Sequence, residues 1–307
     1  MPGPQIPINP RSTEKSFSMK RPQAILRNYP YWFYLPAAIV FGVFFVVPTV
    51  LAFYFSLTRW TLFDSTFIGL DNYRVFINDP QLVAGLRNTL IYAVLTSGSK
   101  VIISLPLATL LTSNLRLKNL LRSIIFFPTL VSIVAIGITF STLMQPSTGI
   151  INTFLGFIGL PQPQWLGDPT LALYSVALVD IWQGLGIATV IFIAGILSIP
   201  EDYFEAARLE GGAWVKFWYV ILPLARNATF TVILLSFIGG LRRFDLIWTM
   251  TRGGPGFASD VLTSVIYKQY QAGFYGLSTA GNVVLFLLIT AIVYPLMRFF
   301  NRLEIEL

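Results

Sequence analysis

Long uncharged stretches alternate with short charged ones along the chain, and the uncharged stretches are long enough to be membrane helices. Tyr31 to Leu57 carries no charge over 27 residues, enough for one helix across a hydrocarbon core about 30 Å thick. Asn88 to Leu115 is interrupted only by Lys100. Ser123 to Gly167 has no charge, and its first part, to about Met144, predicts a third span. Leu171 to Ile199 predicts a fourth, with Asp180 as its only charge, and Ile221 to Leu241 a fifth, with Arg226 placed to snorkel near its start. Tyr270 to Met297 completes the set, with Arg298 and Arg302 after it. The pattern predicts an all-α membrane protein with six transmembrane helices: a tail over 1–30, a first helix over 31–57, a main transmembrane domain over 84–300 and a short C-terminus over 301–307.

The connecting segments set the expected orientation. Six spans put both termini on one side. On that side lie the polar, proline-rich tail, the Arg116 to Arg122 turn, the Pro200 to Arg226 window and the C-terminus. They hold thirteen of the 21 Lys and Arg residues. The opposite side holds seven: Arg59, Arg74, Arg87, Arg242, Arg243, Arg252 and Lys268. Basic residues favour the cytoplasmic side of a membrane, so both termini are expected there. The stretches Thr58 to Leu86, Pro146 to Gly167 and Arg242 to Lys268 read as loops on the other side.

Composition narrows the chemistry. Of 307 residues 55% are hydrophobic and only 11% charged, with mean hydropathy +0.69, whereas a soluble domain carries about a quarter charged residues. Cysteine and histidine are absent. That removes disulfides, thiolates, the commonest general base and the commonest metal ligand, so neither a catalytic centre nor a metal site is expected. The net charge of +7 reads as the cytoplasmic bias just described. No basic cluster is interleaved with aromatics, and nucleic acid is not an expected partner.

The window from Pro200 to Tyr219 is the most charged one after the tail. Glu, Ala, Arg and Leu dominate Glu201 to Leu209 and predict a helix; Gly211-Gly212 permits a sharp turn; Ala213 to Val220 predicts a second short helix. A helix, turn and helix presenting Ala206, Ala207, Leu209, Trp214 and Phe217 suits a groove on a partner, although an ordinary connector would have the same parts. The run Ile199-Pro200-Glu201-Asp202-Tyr203-Phe204-Glu205-Ala206-Ala207-Arg208-Leu209-Glu210-Gly211, followed by Ile221-Leu222-Pro223, resembles the EAA loop of ABC importer permeases. In that resemblance Glu205, Ala206 and Ala207 match the name-giving triplet, Gly211 the turn glycine, and Leu222 and Pro223 the closing pair. The stretch between the glycine and the closing proline is one residue shorter than the family pattern. Phe244-Asp245 with Thr251-Arg252-Gly253-Gly254-Pro255-Gly256 is similar to a segment of the carbohydrate-importer permeases, the maltose and glycerol-phosphate type. Together the resemblances cover roughly Leu86 to Phe300.

The resemblance implies a type I ABC importer transmembrane fold with cytoplasmic coupling helices at about 200–223, in the cytoplasmic membrane of a bacterium or archaeon. It implies a second permease subunit, two cytoplasmic ATPase subunits docked on the EAA loop, an external solute-binding protein, and a sugar, oligosaccharide or polyol as cargo. No G-x-x-x-x-G-K-[ST] loop occurs: Gly211 to Lys216 lacks the second glycine and the hydroxyl. ATP and magnesium are therefore expected on the ATPase partner, with no cofactor on this chain. For the pathway, Trp182 and Gln183 offer a flat ring and an amide. Ser236, Gly240 and Arg243 match positions that face substrate in the resemblance, and Arg243 would hold an acidic group on the cargo. Lys100 and Asp180 lie mid-span, where a charge costs about 2.5 to 3.5 kcal/mol even on a lenient scale. They either pair or line the path. An ion-coupled secondary transporter working as a dimer is the alternative reading of those two charges, but it gives the EAA-like loop no role.

Overall fold

The computed structural model describes residues 31–303 apart from Leu62; the tail expected over 1–30 and residues 304–307 lie outside the described residues. The described residues up to Thr49 form one compact unit and those from Val50 a second. In the first, a 3₁₀ turn at Tyr31–Tyr34 leads into α1 (Leu35–Phe41), a widened π turn at Gly42–Val46 and the start of α2 (Val47–Ser56). Pro48 has no N–H to bond back one turn, and the widened turn sits just before it. The most apolar 18 residues within Trp32–Ser56 have a mean hydropathy of 2.4.

The second unit opens with an antiparallel hairpin, β1 (Thr58–Trp60) and β2 (Ser65–Phe67), with Thr58 opposite Phe67. Then comes α3 (Asp71–Asn78), whose Asn72 amide donates to the carbonyls of Ser56 and Thr58 at 2.8 and 2.9 Å. The sequence pattern predicts a loop here. The strands and helix are too short to stand out beside the long apolar runs.

α4 (Pro80–Thr112) starts eight residues before the expected Asn88. Asp79 caps it, its carboxylate accepting from the N–H of Gln81 at 2.7 Å and of Leu82 at 3.2 Å, and Pro80 suits the first turn. The third span is broken rather than straight: α5 (Lys118–Leu130) and α6 (Ile133–Leu143) meet at 98°. Pro128 withholds one helical hydrogen bond just before the break. α7 (Ile150–Phe157) lies in the expected loop, and α8 (Ala172–Leu197) is the fourth span.

The Pro200 window forms α9 (Glu201–Glu210), α10 (Gly212–Val215), a π segment (Lys216–Ile221) and α11 (Leu222–Leu224). The chain then bends by 64° into α12 (Arg226–Leu241). α13 (Asp245–Met250) and α14 (Leu262–Gln271) break up what read as one loop. α15 (Tyr275–Leu303) begins after a turn in which Gly273 takes φ +84. Among the described residues four helical stretches are long and apolar enough to span a membrane, and the number rises to as many as six where each bent pair counts as one span.

α4, α8 and α12 pack against one another, and small residues let them do so. A Cβ on Gly240 would stand 2.7 Å from the Cα of Ala93, and one on Gly195 would stand 2.5 Å from the Cβ of Ala228. Gly240→Val should therefore force α12 off α4 and cost about 1–3 kcal/mol. Gly239→Ala, whose Cβ would meet nothing within 4 Å, should cost nothing. Thermal unfolding of the two variants in detergent checks this: the first melts earlier, the second does not.

Candidate functional site

Lys100 on α4 and Asp180, the one charged residue of α8, meet with Nζ 3.3 Å from Oδ1. Arg243, just beyond α12, donates to the same oxygen at 2.6 Å. The Asp180 side chain is wholly buried, so one carboxylate draws three helical segments together. Gly184, one turn beyond Asp180, makes room for the lysine: a Cβ there would lie 2.5 Å from the Cε of Lys100. Removing charges from water is expensive, and the cost is offset only where they pair closely.

Beside this cluster opens a cleft of about 290 Å³. Lys100, Gln183, Ser236 and Arg243, all singled out in the sequence, line it together with Gly184 and Gly239. The other three pathway candidates lie elsewhere. Asp180 is buried behind Lys100 and Arg243. Gly240 faces Ala93 in the packing of α12 on α4. Trp182 is half exposed and rests on Phe140, with ring centroids 5.2 Å apart. On a helix Gln183 points about 100° away from Trp182, so neighbours in sequence need not share a face.

The Gly253 to Gly256 run is held by residues that the motif did not flag. Asp260 is fully buried, pairs with Lys268 at 2.6 Å and accepts from the Ser264 hydroxyl at 2.8 Å. Gly253 takes φ +85 and sits so close to the Asp260 carboxylate that a side chain would collide with it. The Asn88 amide donates to the carbonyls of Ala258 and Asp260 at 3.0 and 2.9 Å, and the Leu262 N–H donates to the Thr89 hydroxyl at 2.7 Å. The loop is thereby pinned to α4.

α9 is two-sided. Phe204 and Ala207 are buried with Ile199, Val220, Ile221 and the α8 residues Phe192 and Ile196. Lys216 holds its ammonium 4.4 Å from the Phe204 ring centroid. The opposite side presents Glu205, Ala206 and Leu209, with Trp214 of α10 beside them in the chain. Leu209 is 90% exposed and Trp214 71%. The two glycines serve different ends: a Cβ on Gly211 would strike the Val215 side chain, while Gly212 supplies the left-handed φ of +71. Leu222 and Pro223 lie in α11 at the bend into α12.

Asp180→Asn should strand two cations inside the bundle. The expected loss is about 3–5 kcal/mol of stability, with partial recovery in Asp180→Asn/Lys100→Met. Comparing the unfolding midpoints of the purified variants tests the cluster; equal midpoints would show that the charges are not coupled.

The family model described as "Binding-protein-dependent transport system inner membrane component" matches residues 100–304. A probable ABC transporter permease protein of Bacillus subtilis, YurN, is 33% identical, the match covering 89% of this chain and 96% of that protein. The trehalose/maltose transport system permease protein MalF of Thermococcus litoralis is 29% identical over 89% of this chain and 94% of that one. A chain from the crystal structure of a bacterial ABC transporter that imports the acidic polysaccharide alginate superposes with a TM-score of 0.76 at 23% identity, covering 89% of this chain and 94% of that chain. Its fold is the one expected from the EAA-like and GGP-like segments. The chain belongs to the family of inner membrane components of binding-protein-dependent transport systems.

Proposed function

We propose that the chain is the permease subunit of an ATP-driven importer that carries a sugar, oligosaccharide or related polyol by alternating access. The observation that carries the reading is the two-sided α9: Phe204 and Ala207 root it in the core shared by α4, α8 and α12, and Glu205, Ala206 and Leu209 face outward with no partner in the chain's core. Such a lever converts movement of a docked subunit into movement of packed helices. Two cytoplasmic ATPase subunits would supply that movement, holding the ATP and magnesium, with none bound here. A second permease would complete the translocation pathway, and a solute-binding protein would deliver cargo from the opposite face. On this reading the protein lies in the cytoplasmic membrane of a bacterium or archaeon, with the Pro200 segment and both termini on the cytoplasmic side.

The relatives named for trehalose and maltose, and the arabinooligosaccharides permease AraP of Halalkalibacterium halodurans, 30% identical over 94% of this chain and 91% of that one, support a carbohydrate cargo. The cleft fits that class. Gln183 and Ser236 offer hydrogen-bonding groups to hydroxyls, and Lys100 and Arg243 add donors at one wall.

Leu209→Asp places a charge at the centre of the docking face. It should weaken ATPase association by about 2 kcal/mol, roughly thirtyfold, and depress uptake while leaving membrane insertion intact. Co-purification of the ATPase and uptake of radiolabelled cargo measure the two effects. Undiminished uptake, with the variant inserted and folded, would remove the lever from the mechanism. Uptake through the cognate receptor of an amino acid or metal in place of a saccharide would overturn the cargo class and leave the lever standing.

A further inference from the structure

Between α5 and α8 lies a cleft of about 380 Å³ that the transport reading does not use. Ile125 and Phe126 line it from α5, and Val190 and Ile193 from α8. At one end the helices touch: a Cβ on Gly186 would stand 2.5 Å from the Thr129 hydroxyl oxygen and 3.1 Å from the Cα of Phe126. The Thr129 hydroxyl closes that end by donating to the Gln183 carbonyl at 3.0 Å. Toward the start of α5 the cleft is lined by Arg122, whose Nη2 donates to the Leu111 carbonyl at 3.1 Å.

Two donors in this otherwise apolar slot are unused. The Arg122 Nε and the Thr189 hydroxyl are buried and have no hydrogen-bond partner among the described residues. Thr189 is only 2% exposed. Arg116 and Lys118 precede Arg122 on the same short segment, and among the described residues none of the three cations has a carboxylate partner. The chain thus sets an uncompensated basic cluster against a slot with aliphatic and aromatic walls, within a protein that spans a membrane. The shape and charge suit an amphiphile with an anionic head. A soluble anion would leave the walls unused, and a zwitterionic lipid would bring a cation of its own to the cluster.

We propose that this cleft binds an anionic phospholipid. The phosphate lies against the guanidinium of Arg122, which makes a charge-assisted hydrogen bond to it. Arg116 and Lys118 add attraction at the headgroup. One acyl chain runs between Ile125 and Phe126 on one wall and Val190 and Ile193 on the other.

The test uses the complete transporter, with all its subunits, in nanodiscs made of equal parts dioleoylphosphatidylglycerol and dioleoylphosphatidylcholine. The assembly is moved into detergent and retained lipid is read by native mass spectrometry. The wild type should keep phosphatidylglycerol and lose phosphatidylcholine. Arg116→Gln/Lys118→Gln/Arg122→Gln should weaken retention at least about tenfold. Val190→Trp, which fills the slot and leaves every cation in place, should weaken it similarly, and excess inorganic phosphate should not displace the lipid. Equal retention of the two lipids overturns the proposal, as does retention that survives either variant or release by phosphate. So does efficient cross-linking of Ser123→Cys to another subunit, which would show a protein in the cleft.

Discussion

The Asp180 carboxylate is the point on which the membrane part of this structure turns. A charge in hydrocarbon has no water to solvate it, so it must find its partners within the protein. Lys100 on α4 and Arg243 after α12 supply them, both on one oxygen of Asp180. The cluster sets the mutual position of three helical segments more narrowly than apolar contacts do, because lipid tails compete with apolar side chains and cannot compete with a counter-charge. Close approach is the other requirement. Gly184 clears space for the lysine and Gly240 lets α12 reach α4, so the ion cluster and the small-residue contacts support each other.

Two further pinned points frame that centre. At one end, the Asn88 and Thr89 side chains on α4 hold the loop that carries Asp260 and Gly253, with Lys268 neutralising the buried carboxylate. At another, α9 sinks Phe204 and Ala207 into the core formed with α8 and the π segment. α4 takes part in the central cluster, in the pinned loop and, through Leu105 and Ala108, in the core beneath α9. Under the proposed function, a push on α9 therefore meets packed side chains of α4 and α8, the helices that carry the central charges and the adjoining cleft. Discrete rearrangement of packed helices is the ordinary way for such force to act at a distance.

The breaks in the spans have a shared origin. Pro128 precedes the 98° turn between α5 and α6, and Pro223 the 64° turn into α12. A proline in a membrane helix frees a carbonyl that must be satisfied by neighbours, and it is tolerated where the chain is packed or lines a cavity. Pro128 is buried. The bends matter for both candidate sites: one lies below the start of α12, whose far end carries Ser236 and Gly239 into the small cleft, and the other lies just beyond the α5 segment that lines the larger one.

Runs of apolar residues determined the number and approximate position of the spans, because hydrocarbon thickness sets a minimum length that a sequence displays directly. The Glu205 to Gly211 motif and the Gly253 run likewise identified the family from contiguous residues. Contacts between distant residues were not legible in that way. Lys100 and Asp180 stood out as misplaced charges, but their union with Arg243 depends on how three segments are rotated about their axes, and a uniformly apolar helix has no periodic face to reveal rotation. The same reason explains why Gln183 lines the cleft and Trp182 does not, and why Gly240 became a packing contact. Asn88, Gly184 and Asp260 were silent in sequence because their roles exist only once another segment arrives beside them; what an ion or a glycine does inside a membrane is decided by its neighbours in space.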